Sequence, residues 1–189
     1  MGFPTDYLRA LHRTLDLIDA AKVEQAIQWF REARAAGQMI FVAGNGGSAA
    51  TASHFVCDVL KGASYGRPAR FRILALHDNL PTLTAYSNDV AYDVAFQEQL
   101  RNFARPGDIY MAISGSGNSP SVVKAMETAA ALGCRTIALT GRDGGTLGRM
   151  AQLHIHVPEA HMGRIEDAHL IICHMIGYSF MEDTPVASL

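Results

Sequence analysis

Cysteine is scarce in this chain: 189 residues carry three, at Cys57, Cys134 and Cys173, with no CxxC spacing among them. An odd number of distant thiols excludes a disulfide framework and a cysteine-built zinc or redox motif. It reads instead as buried thiols of a reducing cytoplasm. Long hydrophobic runs are also missing. No stretch approaches the roughly 18 apolar residues of a membrane span. The opening MGFPTDYLRALHRTLDLI is broken by Asp6, Arg9, His12, Arg13 and Asp16, so it reads as neither a signal peptide nor a membrane segment. Charge of one sign is absent in bulk, since the formal net charge is -2 with charged residues at 18%. That argues against a nucleic-acid partner held by a basic surface. Low-complexity segments, fixed-period repeats and the Walker pattern G-x-x-x-x-G-K-[ST] are likewise absent. What remains is 49% hydrophobic, enough to bury a core without disulfides or a structural metal. The length predicts one domain over 1–189, with residues 1–37 as a helical extension.

Short apolar runs recur at 39–44, 71–76, 108–114, 135–140 and 153–157. Their nearly continuous apolar character predicts strands buried on both faces. Crossover helices are expected at 48–61, 80–104, 119–132 and 144–151, and two helices, 4–19 and 22–36, precede the first strand. Gly37 is placed to cap the second. The alternation predicts an α/β fold with a parallel, doubly wound sheet. A last helix over 164–182 reads as apolar nearly all round, through Leu170, Ile171, Cys173, Met175, Ile176 and Phe180. Part of it is therefore expected to bury against another subunit. The tail after Met181 reads as frayed.

Two strand-to-helix turns carry chemistry. Gly44-Asn45-Gly46-Gly47-Ser48 lets backbone approach a ligand at a helix N-terminus. It also fits G-x-G-x-x-A, but the ribose-binding acid expected about 20 residues on is not there, which argues against a dinucleotide. Ser114-Gly115-Ser116-Gly117-Asn118-Ser119-Pro120 offers three hydroxyls and free backbone N–H groups, a neutral cradle for a phosphate monoester. An N-capped turn alone would need one serine. A third cluster suits a transition metal or proton transfer: His54 and Asp58 share a helix face at i, i+4, and Glu166 and His174 share one eight residues apart. The other histidines, His12, His77, His154, His156, His161 and His169, read as ordinary core or surface residues. Cys57 and Cys173 read as small core residues.

GNGGSAATASHF, SND at 87–89, ISGSGNSP, LTGRDGG at 139–145 and RIEDAHLIICH at 164–174 together resemble the sugar isomerase (SIS) domain family, and within it the bacterial phosphoheptose isomerases. The likeness covers nearly the whole chain in five ordered motifs. It implies a three-layer αβα sandwich on a five-stranded parallel sheet, with N-terminal helices. It also implies a homotetramer with active sites at subunit interfaces, and one zinc ion per site. The implied reaction converts D-sedoheptulose 7-phosphate to D-glycero-D-manno-heptose 7-phosphate, feeding lipopolysaccharide or other heptose-containing glycans. By the same likeness Asn45, Gly46, Gly47, Ser48, Asn88 and Asp89 touch substrate. Ser114, Gly115, Ser116 and Ser119 hold its phosphate. His54 and His174 fall on metal ligands, and His174 also on the general acid.

The chain departs from the family inside the site. Asp58 stands where the family has the glutamate that is both base and ligand, Glu166 where it has glutamine, Gly115 where it has threonine, and Gly62 where a basic residue is common. The expectation is a four-ligand site of His54, Asp58, Glu166 and His174, with Asp58 or Glu166 as base. The rival from another class is a non-catalytic relative that binds the replication initiator or senses a sugar phosphate. The initiator-binding type lacks the second-helix histidine, so His54 together with His174 favours the enzyme.

Overall fold

The structure, a computed structural model, describes residues 2–182. Among these residues five strands, β1 Met39–Ala43, β2 Arg72–Ala75, β3 Ile109–Ser114, β4 Arg135–Thr140 and β5 Leu153–His156, form one parallel sheet in the order β2-β1-β3-β4-β5. Phe41 is in register with both Leu74 and Tyr110, and Leu139 with Ile155. Because β1 lies between β2 and β3, chain progression reverses at the β1–β3 boundary. The loops leaving the carboxyl ends of these two strands open a crevice between them, where open α/β sheets take ligands.

The expected burial on both faces holds. Along β1, Ile40 and Val42 face a core shared with α2 (Ala20–Ala36), α3 (Gly47–Cys57) and α8 (Met162–Glu182). Phe41 and Ala43 face the opposite core, shared with α5 (Ala95–Phe103), α6 (Pro120–Ala131) and α7 (Gly145–Met150). Period-two alternation therefore divides one apolar run between two helical layers. Helix α2 begins at Asp19, whose carboxylate accepts from the N–H groups of Ala21 and Lys22. It ends at Gly37 with φ +67°, the left-handed cap that glycine adopts without strain.

Three expectations need correction. Segment 80–104 is not one helix: α4 (Leu80–Asp89), a 3₁₀ turn (Tyr92–Val94) and α5 replace it. A continuous helix of that length would run about 37 Å, whereas strands of four to six residues span about 13–20 Å. The break folds the crossover to fit. Helix α8 is not apolar all round. Its buried residues Ile165, Ala168, His169, Ile172, Cys173, Ile176, Gly177 and Phe180 repeat every three or four positions on one face, while Met175 and Tyr178 are exposed. Cys57 is exposed, unlike Cys134 and Cys173, because it shares the outward face of α3 with Ala50 and His54. Burial raises both hidden thiols, Cys134 to about 11. The tail expected to fray lies, beyond Glu182, outside the described residues. The first helix, α1 (Phe3–Leu15), buries only Thr14 and leaves Phe3 and Leu8 exposed. No described helix is long and apolar enough to cross a membrane.

Candidate active site

The β1–α3 and β3–α6 loops line a cleft of about 320 Å³ together with Met162 and Glu166 from the start of α8. The serine-rich loop is pre-folded for an anion. Gly117, at φ +65°, donates its N–H to the Ser114 carbonyl and to Ser114 Oγ, and the Asn118 N–H donates to Ser116 Oγ. With those oxygens accepting inside the turn, the Ser114 and Ser116 hydroxyl protons remain to be donated outward. Ser119 occupies the N-cap position of α6 yet makes no side-chain capping bond. Gly46, at φ +56°, likewise leaves the start of α3 without a side-chain cap. Two helix N-termini thus meet three hydroxyls at one cleft, which favours a phosphate over a neutral group. The expected residues Asn45, Gly46, Gly47, Ser48, Ser114, Gly115, Ser116 and Ser119 all line it.

Behind this loop, the Leu147 N–H donates to the Gly117 carbonyl and the Thr146 N–H to Asn118 Oδ1, so the β4–α7 turn buttresses the cradle. Gly115 lies under Met162. A Cβ there would come 2.6 Å from the Met162 sulfur. Met162 occupies the volume that the missing side chain would have filled.

Helices α3 and α8 run side by side from the cleft. A Cβ on Gly47 would meet the Glu166 carboxylate, one on Gly177 would lie 4.0 Å from Asp58 Cβ, and one on Gly62 would run into Met181. His54 faces His174 at the corresponding level. These pairs keep nearly the same offset in sequence along both helices, so the helices are parallel and in register.

His54, Asp58 and His174 converge. Their Nε2, Oδ2 and Nε2 atoms lie 3.0 Å apart between the histidines, 3.3 Å from His54 to Asp58 and 3.7 Å from His174 to Asp58. Among the described residues these three form the group able to hold a metal ion. Two imidazoles and a carboxylate are a donor set suited to zinc or a similar divalent ion. The structure does not bring Glu166 into this group. Two turns separate it from His174, and its carboxylate lies beside Gly47 on the wall of the cleft. Asn88 and Asp89 end α4, where Asn88 donates to Asp89 Oδ1. Asp89 lines a separate cleft with Thr82 and Tyr86, so one chain does not join either residue to the cradle.

The sequence reading missed three site features. Asp58 begins a π-helical turn, Asp58–Gly62, at the end of α3. Such turns collect at functional sites, and no local sequence signal marks this one beyond Gly62 itself. Tyr92 donates its hydroxyl to Asn45 Oδ1 at 2.5 Å, and Asn45 Nδ2 donates to Ser121 Oγ at 3.0 Å. Tyr92 follows the SND motif closely, and that proximity was the available hint.

A parallel sheet with a hydroxyl-lined cleft at its switch point and a His–Asp–His cluster beside it is an α/β arrangement suited to a small anionic ligand. Comparison with known proteins narrows the class. The SIS domain model matches residues 5–141. A probable phosphoheptose isomerase of Thermoplasma volcanium is 41% identical over 172 residues, covering 91% of this chain and 87% of the relative. The phosphoheptose isomerase structure from Neisseria gonorrhoeae superposes with a TM-score of 0.86 at 30% identity, covering 93% and 95% of the two chains. That from Francisella tularensis gives 0.87 at 26%, covering 96% and 95%. The chain belongs to the SIS-domain family and, within it, to the phosphoheptose isomerases.

Proposed function

We propose that this protein converts D-sedoheptulose 7-phosphate to D-glycero-D-manno-heptose 7-phosphate as a zinc-dependent, cytoplasmic homotetramer, supplying heptose for lipopolysaccharide or related glycans. The observation that carries the reading is the spacing of two sites along parallel helices. His54 lies seven residues beyond Gly47 on α3, which places the His54–Asp58–His174 group about 10 Å below the phosphate cradle. An extended seven-carbon chain with its phosphoester also spans about 10 Å, eight bonds at roughly 1.5 Å following a zigzag. Ketoses with five carbons are shorter by two bonds and fall short of the cluster.

Ketose-to-aldose isomerisation moves one proton from C1 to C2 and another from the C1 hydroxyl to the C2 carbonyl oxygen. With the phosphate held by Ser114, Ser116, Ser119 and the two helix N-termini, the far end of the sugar is oriented at the cluster. Asp58 takes a proton from C1 while His174 protonates the C2 carbonyl oxygen; His174 then takes the C1 hydroxyl proton and Asp58 returns its proton at C2, which restores both groups. His54, Asp58 and His174 would hold the metal. A bound zinc ion supplies Lewis-acid polarisation of the two sugar oxygens as charge develops on them. Glu166, set at the cradle level, accepts hydrogen bonds from hydroxyls in the middle of the chain.

The assembly reading is supported by apolar surface left open in one chain. Ile171, Met175 and Tyr178 follow one another along α8 beside His174, and Phe3 and Leu8 stand out on α1. His54 and His174 are themselves 53% and 39% exposed, so a second copy over α8 would close the site. The deciding experiment is a product-identified assay across five- to seven-carbon ketose phosphates, with metal content measured on the same sample. Turnover restricted to the seven-carbon substrate is expected. Failure to turn over any of them, with the phosphate still bound, would favour a sugar-phosphate sensor.

A further inference from the structure

We propose that Tyr92 is a positioning residue for phosphate binding, acting through Asn45. The inference rests on the cradle described above. Asn45 and Ser119 form the common wall between the phosphate cleft and a larger cleft of about 550 Å³ lined also by Ala91, Tyr92, Asp93 and Ser121. From the far side of that wall, the Tyr92 hydroxyl donates to Asn45 Oδ1 at 2.5 Å. From α6, Ser121 Oγ accepts from Asn45 Nδ2 at 3.0 Å. The amide is therefore held at both ends, by two elements other than its own loop.

An asparagine amide carries two donors and two acceptor positions. Two of the four are used here, which leaves one N–H and one lone pair in a fixed plane at the edge of the cradle. Held so, the free N–H serves an incoming oxyanion without first losing rotational freedom. Released from Tyr92, the side chain turns about its last torsion, which is broad for a terminal amide, and must be ordered on binding. Partial burial raises the Tyr92 hydroxyl above its ordinary range, so it remains protonated and able to donate at neutral pH. Tyr92 is still 46% exposed, and replacing it with phenylalanine removes one oxygen without opening a core cavity.

The same segment has a second anchor, the ion pair of Asp93 with Lys124 at 2.5 Å. That pair separates two explanations. If Tyr92 works by fixing Asn45, cutting the Asp93 anchor leaves phosphate binding alone. If Tyr92 merely fastens the segment, cutting either anchor weakens binding alike.

The experiment measures the inhibition constant of inorganic phosphate, together with KM and kcat, in the full-length protein. Tyr92→Phe should raise both the phosphate constant and KM about three- to tenfold, the range of a single hydrogen bond, with kcat within twofold. In an Asn45→Ala background the same change should add nothing, as a double-mutant cycle of coupled residues requires. Asp93→Asn should leave the phosphate constant unchanged. Ser121→Ala, which frees the other end of the amide, should act in the same direction as Tyr92→Phe and keeps the test open if the latter fails to fold. Failure of phosphate to bind the unaltered protein would remove the cradle and this inference together. With phosphate binding intact, three outcomes overturn the role of Tyr92 alone. These are an unchanged constant in Tyr92→Phe, an equal loss with and without Asn45, or an equal loss in Asp93→Asn.

Discussion

Two carboxylates compete for the role of base, and geometry separates them. Asp58 Oδ2 lies 3.3 Å from His54 Nε2 and 3.7 Å from His174 Nε2. Glu166 is eight residues up α8 from His174, an axial distance of about 12 Å. Asp58→Asn keeps the shape and removes the proton acceptor, so kcat should fall about 10²- to 10⁴-fold, the range for losing a general base. In barrier terms that is about 2.7–5.4 kcal/mol. Glu166→Gln also keeps the shape, but it removes a negative charge from the wall of a phosphate cleft. Its expected signature is a lower KM with kcat within tenfold. The direct assay is exchange of the C1 proton with deuterated solvent, followed by NMR, which reads proton abstraction apart from product release. Metal content measured on both variants separates loss of the base from loss of a ligand. If Glu166→Gln abolishes exchange while Asp58→Asn retains it, the assignment of Asp58 as base is wrong. Glu166 would then have to reach the cluster in the assembled protein.

Further outcomes follow from the same structure. Replacing Ser116 and Ser119 together with alanine should raise KM at least tenfold, since hydrogen bonds to a charged group are worth about 1.5–3 kcal/mol each; wild-type kinetics would place the phosphate elsewhere. Gly117→Ala meets both a backbone φ of +65° and the carbonyl oxygen of Gly144, so it should lower the melting temperature and raise KM together. His169 is fully buried on α8, and desolvation holds it down at about 4. The unfolded chain therefore binds its proton first. Stability should be complete above about pH 6.5 and fall by about 3 kcal/mol as the pH drops to 4, which unfolding by urea across that range will read. Light scattering at micromolar concentration should give a tetramer, and a mass at the 20.4 kDa of one chain would refute the interfacial site.

The fold was legible because burial on both faces leaves a plain signature. All six residues of β3 are buried, and such runs alternating with helical segments leave little choice but a parallel sheet. The crossover after β2 was not legible as two helices. α4 has no buried residue and α5 carries its apolar face through Phe96 and Leu100, and only the sheet's dimensions decide where the chain must turn. Cys57 misled for a related reason. A thiol is usually buried, but its exposure depends on which face of α3 meets α8. The serine loop was readable because cradle chemistry is local, with three hydroxyls and two glycines in six residues. Tyr92 and Ser121 are remote from Asn45 in sequence, and nothing local joins them.

Glu166 shows where reasoning along one helix stops being sufficient. Its spacing from His174 places both on one side of α8, and a shared metal was the natural inference. Within one chain the in-register partner helix sets Glu166 apart from the cluster, because each level of α8 meets a different level of α3. At the level of Gly47 the absence of a side chain gives Glu166 its place, and at the level of His54 the two imidazoles meet. Charge follows the same partition. Among the described residues Glu166 is the one ionisable side chain lining this cleft, so in the proposed reading hydroxyls and helix N-termini would hold the phosphate against it. A carboxylate that weakens phosphate binding earns its position only by contacts farther along the sugar, where hydroxyl donors of a long polyol would meet it. For that reason Glu166→Gln should tighten inorganic phosphate while narrowing the preference for the seven-carbon substrate over shorter ketose phosphates. A variant that tightened phosphate and kept the full preference would show that chain length is read at the His54–Asp58–His174 end alone.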